Sequence, residues 1–334
     1  MSRARPKDSL AWPGGGCSAA RMHGEAPERL AADADGIARA AELLRAGRLV
    51  AVPTETVYGL AARADSEAAV AGIFRAKGRP DFNPLIVHVA SLAMARELAE
   101  FDERAERLAA RHWPGPLTVV LPVRGGAPIV PAVTAGLPTV ALRMPDHPAL
   151  QRLLAELSLP LAAPSANRSG GISPTAPEHV AESLGAAVDA ILDGGPCARG
   201  LESTIVALRA DGSWQLLRPG PIGEAELASE LGPPKPLEDL GIEAPGQLAR
   251  HYSPGKPVRL GAHEADGDEF LIGFGAVAGD CSLSEAGDLA LAAARLYACL
   301  HEGAASAKPR IAVAPIPEQG IGAAINDRLR RAAA

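Results

Sequence analysis

The sequence predicts an α/β protein of mixed α+β type in two parts, a larger domain and a smaller C-terminal one. Three observations predict it. The chain has 334 residues, too many for one small core and comfortable for two. Apolar runs of strand length alternate with helical patterns from about residue 37 to 217, and the alternation restarts at 258. Between them, from about 225 to 257, the chain turns to Pro, Glu, Gly and Leu with weak periodicity, which reads as a linker. The expected divisions are therefore a disordered extension over 1–33, a larger domain over 34–224, a linker over 225–257 and a small α/β domain over 258–334 with a partly parallel sheet.

In chain order, residues 1–33 are rich in Gly, Pro, Arg and Ala without periodicity, and the run Gly14-Gly15-Gly16 has no strand before it, so it reads as tail rather than phosphate loop. Ile37 to Ala46 is a helix stopped by Gly47, and Leu49 to Val52 is a buried strand. That strand runs into Pro53-Thr54-Glu55-Thr56-Val57-Tyr58, where alternation leaves Thr56 and Tyr58 facing one way. Hydroxyls at a strand's carboxyl end suit a ligand; the other reading is a turn whose threonines satisfy their own backbone. A helix capped by Asp65 or Ser66 runs to Lys77, and Gly78 suits its C-cap. Lys77-Gly78-Arg79-Pro80-Asp81-Phe82-Asn83-Pro84 then puts two fixed cations and an amide on stiff backbone, and the strand Leu85-Ile86-Val87 delivers His88. A phosphorylated ligand would suit that set; a solvated Lys/Arg turn before an ordinary strand is equally open on this stretch alone.

Helices over Leu92–Leu98 and Glu103–His112 follow, then a strand from Leu117, with Trp113 read as packing. In the strand Thr139 to Pro145, Arg143 interrupts an apolar run. A buried guanidinium must meet an acidic side chain or an anionic ligand, and both readings stay open. Strand Leu159–Ala163 breaks into a loop dense in hydroxyls and glycines, Pro164 to Thr175. Its composition suits a nucleotide, although the phosphate-loop spacing is absent, and compact domains seldom carry so long a loop idly. A helix over 177–184, strands over 188–192 and Ile205–Leu208, and a last strand Trp214–Leu217 ending in Arg218 complete the larger domain. The linker closes on Arg250-His251-Tyr252-Ser253-Pro254, more chemistry than a tether needs. In the small domain the pattern gives strands over Phe270–Phe274 and Ile311–Ala314, a capping box at Ser282 to Glu285 starting a helix to about Leu300, and a helix from Ile321.

Hydrophobic residues make up 47% and charged residues 22%, ordinary for a folded soluble chain, and with aromatics at 3% the core must be built from Ala, Leu, Val and Ile. A net charge of -6 and a pI near 5.8 argue against a dedicated nucleic-acid binder. Cys17, Cys197, Cys281 and Cys299 lie far apart without metal-ligand spacing and read as reduced thiols of a cytoplasmic protein. No signal-peptide core or membrane-length run is seen, so no membrane partner is expected.

Taken together, Pro53-Thr54-Glu55-Thr56-Val57-Tyr58-Gly59-Leu60, Lys77-Gly78-Arg79-Pro80 with Asn83-Pro84-Leu85 and His88, Pro114-Gly115-Pro116-Leu117-Thr118, Arg143-Met144-Pro145, Ala163-Pro164-Ser165-Ala166-Asn167 with Ser173-Pro174-Thr175, Glu202-Ser203-Thr204 and Arg218-Pro219-Gly220 resemble the L-threonylcarbamoyladenylate synthase family. His251-Tyr252-Ser253-Pro254 and the small domain after it resemble the longer, two-domain branch of that family. Ala207 departs from the pattern, where an Asp often follows the Ser-Thr strand.

The resemblance implies a YrdC-like three-layer core on a twisted mixed sheet and a Rossmann-like C-terminal domain. It also implies a reaction: L-threonine, bicarbonate or CO2 and ATP give threonylcarbamoyl-AMP and pyrophosphate, for later modification of tRNA adenosine by a threonylcarbamoyl-transfer machinery. Thr56, His88, Arg143, Ala163 and Ser203 would hold threonine. Lys77, Arg79, Asn83, Thr139, Ser165, Ser173, Arg218 and Tyr252 would hold ATP. Mg2+ would ride on the phosphates and water with no protein metal site, and no side chain stands out as a general base. Three rivals remain. An RNA-binding module would use the same cationic concavity, with weak tRNA contact. A carbamoyltransferase of the hydrogenase-maturation kind would carry paired Cys-x-x-Cys elements, absent here. A scaffold would need no catalysis.

Overall fold

The computed structural model of the chain describes residues 26–236, 242–247 and 251–334. Most of the expected N-terminal extension lies outside these residues. Its last part does not: Glu28–Ala31 is a strand, β1, so regular structure is present before the expected boundary at 34. The large sheet takes β1, β2 (Val50–Val52), β3 (Gly59–Arg63), β4 (Ile86–His88), β5 (Leu117–Pro122), β6 (Thr139–Arg143), β7 (Leu161–Ala162), β8 (Ala190–Asp193), β9 (Thr204–Leu208) and β10 (Trp214–Arg218). Their spatial order is β1-β8-β2-β3-β7-β4-β6-β5-β9-β10. Pairing is mixed: β4 runs parallel to β6, with His88 opposite Arg143, and antiparallel to β7.

Strand alternation sorts the side chains into layers. Ala51, Leu60, Val87, Leu142 and Val206 face one side and join the largest core. Helices α2 (Glu67–Lys77), α3 (Leu92–Leu98), α4 (Glu103–His112), α7 (Pro177–Leu184) and α8 (Glu224–Leu231) add their apolar residues there. Val50, Val52, Ala61, Leu161 and Ala163 face the other side, under α1 (Ala34–Arg45) and α6 (Pro148–Leu157). The short α5 (Pro131–Thr134) precedes β6. Helix starts follow their side chains: Asp33, Ser66, Ser91 and Asp102 each accept from an amide of the first turn. Gly78 takes the left-handed conformation, φ 58°, as the C-cap of α2.

Beyond β7 the second face loses its helices. Ile86, Ala141, Ile205, Ala207 and Leu217 form a small apolar layer covered by Ala244 of the linker. Ala207, the departure from the family pattern, lies fully buried in this layer. The linker is also less loose than expected, since its first residues are α8, whose Leu227 reaches the main core.

The small domain is a four-stranded parallel sheet, β11 (Val258–Leu260), β12 (Glu269–Gly273), β13 (Cys281–Ser282) and β14 (Arg310–Val313), in the order β11-β14-β12-β13. Helices α9 (Leu289–Ala305) and α10 (Ile321–Ala332) cover its Ile272, Ile311 and Val313 face, and Val57, Ile172, Leu201 and Tyr252 of the preceding chain join the same core. Two expectations fail here. The capping box is not one: α9 starts at Leu289, with Asp288 accepting from Ala290 and Leu291, and Ser282 belongs to β13. The cysteines are not all thiols: Cys281 and Cys299 form a disulfide across a Cα separation of 6.1 Å. Only packing of β13 on α9 brings them together. Cys197 is a buried thiol pushed up to about 12 by burial. Cys17 lies outside the described residues.

The domains meet closely. A Cβ on Gly200 would sit 2.4 Å from the Ala294 carbonyl oxygen, so α9 lies directly on the loop before β9, which only glycine allows at φ 67°. Among the described residues no helix is long and apolar enough to cross a membrane.

Candidate functional site

One cleft lies where the second face of the sheet passes from the α1/α6 cover to the linker. Its lining includes Thr54, Val57, Gly59, Arg79, Ile86, His88, Arg143, Ala163, Pro164, Ser165, Glu202, Arg218, Pro245, Gly246, His251 and Tyr252. The space left open is about 40 Å3, room for a few waters at roughly 10–15 Å3 each. The linker residues Pro245, Gly246, His251 and Tyr252 close it.

Ile86 and His88 point into the cleft because they sit two apart on β4, while Val87 faces the core. His88 is 3% exposed, and its Nδ1 has no hydrogen-bond partner among the described residues. Burial, then the neighbouring Arg143 charge, holds its pKa down at about 3, so the ring is neutral. Arg143 ends β6 beside it. Of its two open readings the acidic partner is realised: Nη2 donates to Glu55 Oε1 at 2.6 Å and Nε to the Gly115 carbonyl at 3.2 Å. Glu55 Oε2 also accepts from the Asp146 amide.

Two further guanidiniums line the cleft, and among the described residues their hydrogen-bond partners are all neutral. Arg79 donates to the Asn83 carbonyl, Asn83 Oδ1 (2.6 Å) and the Pro84 carbonyl. Arg218 donates to the Ser203 carbonyl and hydroxyl, both at 3.0 Å, and to the Pro245 carbonyl. Burial and then the charge of Arg218 pull Arg79 down to about 10, and burial lowers Arg218 as well. Two buried cations that repel each other, both still charged at neutral pH, make a site prepared for an anion.

The remaining expected residues divide. Ala163, Ser165 and Tyr252 line the cleft directly, and Asn83 acts by aiming Arg79. Ser203 braces Arg218, its hydroxyl 2.7 Å from that of Thr118. Thr56 is fully buried with its hydroxyl 2.8 Å from that of Thr54, and Thr54 accepts from the amides of Thr56 and Val57. The turn is thus self-satisfied, and Thr54 rather than Thr56 lines the space. Lys77 corrects an expectation: its ammonium is buried, donates to the Ser165 and Asn167 carbonyls, and is drawn well below its ordinary pKa by burial. It ties down the 164–175 loop instead of facing the cleft. Thr139 opens β6, four residues before Arg143, and is outside the lining. Ser173 also lies outside it, donating to Glu202 at 2.6 Å. Glu55, Glu202 and His251 are residues of the site to which the sequence assigns no role; each is visible there only as a member of a motif.

The lining carboxylate Glu202 is fully engaged, so among the described residues no free carboxylate faces the space. Among the described residues one His/Glu group has cation-ligand spacing, His112, Glu226 and Glu230 on α4 and α8, and it lies outside the cleft.

The titrations carry a sign. The neutral imidazoles His88 and His251, each held at about 3 mainly by burial, have an ordinary value of 6.5. Between those values the unfolded chain binds protons that the native chain does not, so stability falls as pH falls. Glu202 is at about 2 against 4.5: burial pushes it up, and Arg328, then Arg218, more than offset that. Its contribution is present above 4.5 and lost toward 2. The expected result is a thermal midpoint that drops below about pH 6.5, with about 2 kcal/mol lost per imidazole at pH 5, then drops more steeply below 4.5. Calorimetry across pH 4 to 8 measures it, and an unchanged midpoint between pH 7 and 5 would contradict buried neutral rings.

Comparisons with known proteins bear on this cleft. The family described as "Telomere recombination" matches residues 42–220, and that described as "Threonylcarbamoyl-AMP synthase, C-terminal domain" matches residues 222–334. The chain is 41% identical over 322 residues to a threonylcarbamoyl-AMP synthase of Bacillus subtilis, covering 89% of this chain and 92% of that one. It is 39% identical over 320 residues to the synthase of Pyrococcus abyssi, covering 88% and 92%. The fold is similar to the crystal structure of Pyrococcus abyssi Sua5 complexed with L-threonine, with a TM-score of 0.83 and 36% identity over 92% of this chain and 97% of that one.

Proposed function

From the premise that the chain belongs to the threonylcarbamoyl-AMP synthase family, we propose that this cleft condenses L-threonine, bicarbonate or CO2 and ATP into threonylcarbamoyl-AMP and pyrophosphate. The chain is an enzyme of the nucleotidyl-transferring kind. The observation that carries the reading is the pair Arg79 and Arg218, buried, charged and bonded only to neutral acceptors, at the same cleft as Arg143 and the unpartnered His88 Nδ1.

The chemistry asks little covalent work of the protein. The threonine amine joins CO2 as a carbamate, a carbamate oxygen attacks the α-phosphorus of ATP, and pyrophosphate leaves. Positioning and charge stabilisation supply the acceleration. Arg143 would take the amino-acid carboxylate on its face away from Glu55. Arg79 and Arg218 would take the triphosphate, each held at a fixed angle by Asn83 and Ser203. His88, with a conjugate acid near 3, is a poor general base at neutral pH and a good hydrogen-bond acceptor for bound threonine. Mg2+ would arrive on the phosphates and spread their charge; the engaged state of Glu202 and Glu55 suits an ion that brings its own oxygen ligands.

The closed cleft implies that the linker lifts for substrate entry and shuts for chemistry, since carbamates decompose and acyl adenylates hydrolyse in water. The product would pass to a tRNA threonylcarbamoyl-transfer machinery. Pyrophosphate release from ATP tests the reading: it should require both threonine and bicarbonate. Release that needs neither would overturn it, and RNA binding that falls steeply with salt and ignores threonine, without pyrophosphate release, would favour an RNA-binding module.

A further inference from the structure

The described C-terminal domain sends two side chains into the wall of the cleft. Glu202 accepts from Tyr297 of α9 through both oxygens, at 3.0 and 2.9 Å, and from Arg328 Nε of α10 at 3.0 Å. Ser173 supplies the only other side-chain donor to it among the described residues, at 2.6 Å. Arg328 is fully buried. Its Nη2 donates to the Pro219 carbonyl at 2.8 Å, and its guanidinium stands 5.5 Å from the centre of the Tyr252 ring. Tyr252 in turn stacks on Tyr297, ring centres 5.5 Å apart.

Glu202 is next in sequence to Ser203, the residue on which Arg218 rests. Two guanidiniums therefore approach one carboxylate from opposite domains, and Arg328 takes it. Arg218 is left on two carbonyls and a hydroxyl, with no carboxylate among its described hydrogen-bond partners. A buried carboxylate stripped of its cation would draw another, and Arg218 is the other guanidinium whose charge acts on Glu202.

We propose that Arg328 is a positioning residue for the nucleotide: by occupying Glu202 it keeps Arg218 free for an anionic phosphate, so the C-terminal domain completes the site electrostatically besides carrying the linker. The inference rests on the synthase reading, which wild-type turnover tests by itself; the ratios between variants test the inference.

The experiment is steady-state pyrophosphate release by the full chain with ATP and threonine varied separately. Arg328→Gln should raise KM for ATP roughly tenfold to a hundredfold while KM for threonine stays within about threefold. Adding Glu202→Gln removes the carboxylate that captures Arg218, so the double variant should recover KM for ATP to within about fivefold of wild type. A purely structural Arg328 predicts no such recovery, because the double variant also replaces the charged acceptor of Ser173 and Tyr297 by a neutral one. A double variant no better than the single overturns the proposal. Arg328→Lys answers the question whether or not the glutamine variant folds: it keeps the charge, so KM for ATP should stay within about threefold, and a rise beyond about tenfold also overturns it.

Discussion

Arg143→Gln should lower kcat/KM for threonine by roughly a hundredfold to a thousandfold while KM for ATP changes little. The guanidinium is 4% exposed at the end of β6, and its Nη2 and Nε are spoken for by Glu55 and Gly115. A carboxylate arriving from the cleft would meet a cation already fixed in direction, next to the unpartnered Nδ1 of His88. Glutamine keeps the length of the side chain and part of the hydrogen bonding but removes the charge, in a place where water cannot substitute for it. The variant also strands Glu55 as a buried carboxylate, which by itself costs on the order of 3–5 kcal/mol of stability. Loss of folding and loss of binding are separated by Arg143→Gln combined with Glu55→Gln. That pair removes the stranded charge, so the midpoint of unfolding should recover while threonine use stays impaired. Calorimetry of threonine binding alongside turnover reads both quantities. Threonine use within about threefold of wild type in the single variant would remove Arg143 from the site.

How much of this is legible in the sequence depends on what each residue answers to. Strand and helix positions answer to local pattern. Leu92–Leu98 and Glu103–His112 are helices as expected, because Ser91 and Asp102 cap them and apolar spacing continues behind the caps. The same apolar spacing marks α6, where Ala149, Leu150, Leu153, Leu154 and Leu157 form one face behind Pro148, and this helix is not among those read from the sequence. In α8 a Pro- and Gly-rich surround disguises a helix that needs only Leu227 to anchor it. Ser282 to Glu285 has the spacing of a capping box, but tertiary pairing of β13 with β12 overrides the local signal. The cleft is legible as a set of motifs but not as a division of labour. Lys77 and Arg79 look alike in sequence. Lys77 sits on the last turn of α2 and turns back under the 164–175 loop, whereas Arg79 follows the cap and reaches the cleft. The Cys281–Cys299 link and the reach of Arg328 to Glu202 join positions whose meeting no local rule encodes.

Tyr252→Ala should cost about tenfold to a hundredfold in threonylcarbamoyl-AMP formed while leaving KM for ATP within about threefold. Removing everything after residue 235 should cost more. Tyr252 is 1% exposed and takes a left-handed backbone, φ 65°, which a bulky residue adopts only when its surroundings hold it there. They do: the ring packs against Tyr297 and the Arg328 guanidinium, His251 N donates to the Arg331 carbonyl, and Ser253 N donates to the Gly170 carbonyl at 2.8 Å. That last bond fastens the linker to the 164–175 loop, so the far wall of the cleft and its cover close as one piece. Gly246 is needed at the inner edge, since a Cβ there would sit 2.9 Å from Arg218 Cδ. Without the Tyr252 ring the cover has its hydrogen bonds but no wedge, and water reaches the carbamate and the mixed anhydride. The discriminating quantity is the ratio of intact product to pyrophosphate released. A lid predicts that this ratio falls, because adenylate made in an open cleft is hydrolysed before it is captured. A residue that only grips ATP predicts that both fall together at an unchanged ratio, with KM for ATP rising in proportion.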